Sequence, residues 1–87
     1  MKIKEGFILR EVADNYIVVP VGAKAIDFNG MITLNETAAF LWRMLEKGTE
    51  IHEMKSELIA KYAIDEKTAS VDIDDIIKQL KDADIIG

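Results

Sequence analysis

Eighty-seven residues make one domain and not two; a domain of this size buries only somewhat above ~60% of the surface its unfolded chain exposes, enough for one modest core but not for a roomy reaction chamber. With 49% apolar and 31% charged residues the chain has the composition of a folded globular domain, not of a disordered segment. It has no cysteine, which excludes disulfides, thiolate chemistry and sulfur-ligated zinc or iron, and a net charge of −5 with scattered basic residues argues against a nucleic-acid partner.

Apolar runs stop far short of the ~20 residues that a membrane helix needs, and no signal-peptide core follows Met1 to Gly6. A single soluble cytoplasmic domain over residues 1–87, with no membrane partner, is the expectation.

Phe7 to Val12 and Tyr16 to Val21 are rich in β-branched and aromatic residues, and Ala13-Asp14-Asn15 is a polar turn between them, so the two runs read as an antiparallel hairpin. Pro20 has no N–H to give to a ladder and predicts that the second strand stops or kinks at residues 20–24. Ala25 to Phe28 and Met31 to Leu34 flank Asn29-Gly30, which suits a type I′ turn and a further hairpin. The alternative is a loop over 25–30 with strand only at 31–34.

Leu34-Asn35-Glu36 marks the passage from strand to helix. Asn35 has the side chain of an N-cap, and Glu36 complements the positive helix end. Ala38, Leu41, Trp42 and Leu45 then recur at helical spacing, widened by Phe40 and Met44, until Lys47-Gly48 ends the helix, giving helix one over about 36–47. Thr49 is the next expected cap; Ile51, Met54, Leu58 and Tyr62, flanked by Ile59, form the apolar face of helix two, about 50–62, with Glu57 and Lys61 placed to pair outward. Asp65 caps helix three, about 66–84, whose stripe is Ala69, Ile73, Ile76, Leu80 and Ala83 with Ile77 at its border. Asp74 and Lys78 are spaced to pair along its surface. The fold class is therefore α+β, an N-terminal antiparallel sheet of three to four short strands followed by three α-helices.

Little in the chain points to catalysis. His52 is the sole histidine, and its nearest hydroxyl, Ser56, lies one turn along the same helix, which is not a nucleophile–base–orienter arrangement. Asp72, Asp74 and Asp75 lack the loop glycine and terminal glutamate of an EF-hand and splay around a helix, so a solvated face is the plainer reading. The glycines match neither a phosphate loop nor a dinucleotide fingerprint. No catalytic residue, metal or cofactor is expected. Phe40 and Trp42 are read as core. A small sheet does have edges, and an extended peptide can add itself to an open one.

The run Leu34-Asn35-Glu36-Thr37-Ala38-Ala39-Phe40-Leu41-Trp42, the Gly48-Thr49 break, Tyr62 before an acidic cap, and Val71-Asp72-Ile73 with a late Ile85-Ile86 resemble the PqqD family, named for pyrroloquinoline quinone biosynthesis. The resemblance extends from about Phe7 to Gly87. It implies a winged-helix-like fold and a RiPP recognition element, a peptide chaperone without catalytic activity. Such a module binds the leader of a ribosomally made precursor as an added strand between the last sheet strand and the third helix, and presents it to a radical SAM protein or other maturase. Carried onto this sequence, the peptide-binding residues are Ile26, Asp27, Phe28, Met31, Ile32 and Thr33 on the strand side and Ser70, Asp74, Ile77 and Lys81 on the helix side. The opposite helix flank, with Asp72, Asp75 and Gln79, is the runner-up, because a helical wheel fixes the stripe but not which border faces the sheet. The segment from Pro20 to Gly30 is longer than the family's simple hairpin.

The alternatives are a winged-helix transcription regulator and a small enzyme. The first requires a basic recognition helix, whereas helix three carries Glu66, Asp72, Asp74, Asp75, Asp82 and Asp84 against Lys67, Lys78 and Lys81. The second requires convergent acid–base groups, which the pattern does not supply. An open strand edge serves self-pairing as readily as leader binding, so monomer and homodimer both remain open.

Overall fold

The computed structural model describes residues 1–22 and 32–86. β1 (Phe7–Val12) and β2 (Asn15–Pro20) form the expected hairpin, and β3 (Ile32–Leu34) pairs antiparallel with the other side of β2, giving the order β1-β2-β3. Three helices follow, α1 (Glu36–Lys47), α2 (Ile51–Tyr62) and α3 (Glu66–Asp82). The α+β architecture of a sheet followed by three helices is as expected. The strand anticipated over 25–28 and the Asn29-Gly30 turn lie outside the described residues.

Register decides which residues meet the helices. Phe7↔Pro20, Leu9↔Val18 and Tyr16↔Leu34 are directly opposed, as are Val18↔Ile32. Because side chains alternate along a strand, Phe7, Leu9, Tyr16, Val18, Ile32 and Leu34 share one face, and all six belong to or pack against the buried cluster. Helix α1 contributes Leu41, Trp42 and Leu45, α2 Met54 and Leu58, and α3 Ala69, Ile73, Ile76 and Leu80. Each large aliphatic side chain so buried stabilises the fold by about 1.5–3 kcal/mol relative to exposure. Trp42 is fully buried, yet its Nε1 has no hydrogen-bond partner among the described residues. An unpaired buried donor costs about 1–3 kcal/mol, so this indole stabilises through its area alone.

Helix ends follow the sequence at two of three starts. Asn35 Oδ1 accepts from the Ala38 amide at 2.8 Å, and Asp65 Oδ1 from the Thr68 amide at 2.7 Å. The start of α2 departs from expectation. Its N-cap is Glu50, which forms a capping box with Glu53, whereas Thr49 is buried and its amide donates to the Met1 carbonyl at 2.9 Å. Gly48 ends α1 with φ at 91°, a conformation that side chains rarely tolerate, while its amide donates to the Leu45 carbonyl.

Other differences are local. Ile51, assigned to the apolar face of α2, is 44% exposed. Lys78 pairs with Asp82 at 2.9 Å and not with Asp74, and Lys61 lies over the Phe40 and Tyr62 rings in place of an ion pair with Glu57. Helix α3 stops at Asp82, and the following Ile85 and Ile86 are buried. Ile86 forms a bridge with Ile3, and the Ile3 and Lys4 amides donate to the Leu45 and Ile85 carbonyls. The N-terminal residues thus tie α1 to the end of α3, a role that short, weakly patterned segments do not announce.

Candidate functional site

Hydrogen-bond alternation identifies what β3 offers outward. The Val21 amide donates to the Gly6 carbonyl at 2.8 Å, which extends the β1–β2 register by one pair. In an antiparallel ladder bonded and non-bonded pairs alternate, so residues 15, 17, 19 and 21 turn their backbone groups to β1, and Tyr16 and Val18 turn theirs to β3. Tyr16↔Leu34 and Val18↔Ile32 are then bonded pairs, and Ile17↔Thr33 is not. The N–H and C=O of Thr33 consequently point away from β2, along the side of β3 that carries no further strand among the described residues. The same alternation aims the missing N–H of Pro20 away from β1, where its absence leaves the hairpin ladder intact.

Beside this edge lies a cavity of about 130 Å³ lined by Thr33, Leu34, Asn35, Thr37, Ala38, Asp72, Asp75, Ile76 and Gln79. Its strand wall is the end of β3, its base the first turn of α1, and its far wall one flank of α3. Asp72, Asp75, Ile76 and Gln79 share that flank because they are three and four residues apart, one turn above another. Ile76 is only 2% exposed and joins the groove to the core. At the base, Thr37 Oγ1 donates to Asn35 Oδ1 at 3.0 Å, so the capping oxygen already serves two donors.

The groove is acidic. Among the described residues, two carboxylates line it and no lysine, arginine or histidine does. The ion pairs among the described residues involve neither Asp72 nor Asp75. Nor do the described residues include three grouped acidic, histidine or cysteine side chains able to hold a metal.

The residues named from sequence divide as follows. Thr33 lies in the groove wall, and Ile32 is half-buried on the core-facing side of β3. Ile26, Asp27, Phe28 and Met31 lie outside the described residues. Ser70, Asp74, Ile77 and Lys81 are not in the walls of this cavity; Ile77 is in the core, and Asp74 and Lys81 are exposed. The flank that meets β3 across the groove is the one carrying Asp72, Asp75 and Gln79. Nothing in the sequence pattern marks Asn35 and Thr37 as groove residues, because Asn35 is accounted for as a cap and Thr37 carries no role of its own.

Two other cavities flank α1. One of about 460 Å³ between α1 and α2 is lined by Phe40, Met44, Lys47, Gly48, Thr49, His52, Glu53, Ser56 and Glu57. It contains His52 and Ser56, and no side-chain hydrogen bond among the described residues orients the pair for proton transfer. The other, about 160 Å³, includes Tyr16, Glu36, Arg43, Lys61 and Tyr62. Here Arg43 lies 5.9 Å from the Tyr16 ring centre, Lys61 5.6 Å from that of Phe40, and Phe40 meets Tyr62 edge-on at 5.8 Å. The Tyr16 hydroxyl is pushed up chiefly by the Glu11 charge, and Tyr62 chiefly by burial. This aromatic–cation cluster joins side chains from β2, α1 and α2, and no short-range spacing in the sequence signals it.

No curated protein matches the chain. Among solved structures, one described as "TbiB1 in Complex with the TbiA(beta) Leader Peptide" superposes with a TM-score of 0.77 at 20% identity, covering 98% of this chain and 93% of that one. The sequence profile of the family described as "Coenzyme PQQ synthesis protein D (PqqD)" matches residues 8–86, and the chain belongs to that family.

Proposed function

We propose that this protein is a non-catalytic peptide-recognition module, a RiPP recognition element. It captures the leader of a ribosomally synthesised precursor by strand addition to β3 and presents the precursor to a modifying enzyme, a radical SAM protein in the first instance, in the cytoplasm. The observation that carries this reading is the outward N–H and C=O of Thr33 beside a groove walled by α3. An added strand gains main-chain hydrogen bonds there, and the groove supplies the pocket that reads its side chains. Membership of the PqqD family and the likeness to a structure solved with a leader peptide support it.

The helix side of the proposed site is Asp72, Asp75 and Gln79, and the strand side is Thr33 with its neighbours in β3. The test is to titrate the isotope-labelled chain with leader segments of short precursor genes found beside its own gene. Amide shift changes at Thr33, Asp72, Asp75 and Gln79, with micromolar or tighter affinity, are expected. Changes confined to α1 and α2 refute the site, and changes on the Ser70, Asp74 and Lys81 flank move it to the other border of α3.

A further inference from the structure

We infer that the groove selects a leader whose added strand carries a lysine or arginine facing Asp72 and Asp75; this rests on the peptide-binding reading above and names the chemistry of the ligand it takes. The first ground is charge balance. Among the described residues, the cavity wall contains two carboxylates three residues apart on one helix and no cation, while its other polar side chains, Thr33, Asn35, Thr37 and Gln79, are neutral. Like charges at this spacing repel along a helix. A peptide that brings a cation removes the repulsion as it binds, and one that brings an aspartate or glutamate adds to it.

The second ground is the state of the helix end at the base of the groove. The N-terminus of α1 would otherwise offset the acids with its partial positive charge. That end is partly answered within the chain, because Asn35 Oδ1 accepts from Ala38 N and Glu36 places a carboxylate in the first turn. The third is geometry. A strand hydrogen-bonded to Thr33 sends alternate side chains to the same face. A long basic side chain on the α3 side spans from the sheet edge to the carboxylates with its methylene stem over Ile76, leaving its charged head at the more exposed rim. Asp72 is half-buried and Asp75 exposed, so the cation meets one acid in partial shelter and the other in water.

The contrast with the rest of the surface makes the charge informative. The larger cavity between α1 and α2 mixes Lys47 and His52 with Glu53 and Glu57, and the aromatic cluster mixes Arg43 and Lys61 with Glu36. Counting the described residues, only the cavity beside the β3 edge is of a single sign among these three.

The experiment uses the full chain as bait for a displayed library of random dodecapeptides, run in parallel on wild type and on the double variant Asp72→Asn, Asp75→Asn. Enriched peptides are resynthesised and mapped by amide shifts. The expected result is an extended motif with lysine or arginine at one fixed position, perturbing Thr33 and Gln79, whose Kd rises about threefold for each single variant and about tenfold for the double variant, as befits partly exposed ion pairs. Replacing that peptide residue by glutamine is expected to abolish the difference between wild type and double variant. Asparagine keeps side-chain shape, and an unchanged amide spectrum elsewhere reports that the variants fold. Peptides that perturb Thr33 and Gln79 but carry no basic residue, or that bind the double variant equally well, overturn the inference and leave strand addition standing. A library yielding no peptide that perturbs this groove overturns the peptide-binding reading and the inference with it.

Discussion

The two flanks of α3 differ in what they meet, although both border the same buried stripe and both begin from polar, acid-rich sequence. Asp72, Asp75 and Gln79 look across a groove at the β3 edge, with no basic side chain among the described residues of its walls. Ser70, Asp74 and Lys81 lie on the other side of Ala69, Ile73 and Leu80, where Ile77 enters the core, and none of them lines the groove beside β3. The difference teaches that a helix acquires a functional face from what the fold sets opposite it. A wheel drawn from sequence alone treats the flanks as equals.

Substituting the two isoleucines at the borders of the stripe puts the largest strain on that distinction. Ile76→Ala and Ile77→Ala each remove a buried aliphatic group and are expected to cost about 2–5 kcal/mol in urea unfolding, with Ile77, slightly more exposed, at the lower end. Only Ile76 also lines the groove. At a temperature where both variants stay folded, Ile76→Ala is expected to weaken peptide binding and Ile77→Ala to leave it unchanged; equal losses from both would erase the difference between the flanks.

The next effect is read at the strand. Thr33→Pro removes one outward N–H without removing a β2–β3 bond, because Thr33 sits at a non-bonded pair. Binding of a groove peptide is expected to fall about tenfold while the amide spectrum of β1 and β2 is retained. Asp74→Asn, on the flank away from β3, is the matched control and is expected to change nothing. Isothermal calorimetry on the pair gives the contrast directly.

Much of the architecture was legible because it rests on short-range pattern. The hairpin followed from β-branched runs around a polar turn, and α1 from Asn35 as a cap with Ala38, Leu41, Trp42 and Leu45 at helical spacing. Two of the failures have a common physical cause, in that each depends on a residue distant in sequence. Thr49 looked like a cap until Met1 came to lie against its amide. Lys61 was matched to Glu57 one turn away, whereas Phe40 of another helix offered its ring. The same holds for the site. Thr33 was named from the strand, but the α3 border opposite it depends on how the helix rolls on the sheet, which Ile73, Ile76 and Leu80 set by packing.

A smaller stability effect tests the base of the groove. Asn35→Ala removes the acceptor used by Ala38 and Thr37 and is expected to cost about 1 kcal/mol. It also leaves the α1 amides unsatisfied beside Asp72 and Asp75, so the preference of the groove for a basic peptide is expected to weaken modestly, as a comparison of peptide Kd values at low and moderate salt would show.

The smallest effect separates structural acid from groove acid on the same helix. Asp65 is held below the usual carboxylate range, first by the Thr68 backbone hydrogen bond and then by the Thr68 side chain. A carboxyl whose folded pKa is depressed contributes stability that is present above its unfolded value, near about 3.9, and is lost as pH falls through its folded value. Asparagine also caps helices but does not titrate there. Wild type is therefore expected to melt slightly above Asp65→Asn at neutral pH, and the gap to close as the pH drops below about 4. Thermal melts of the two proteins at matched pH steps measure it, and a gap that widens in acid would show that the Asp65 carboxylate is not the cap that starts α3.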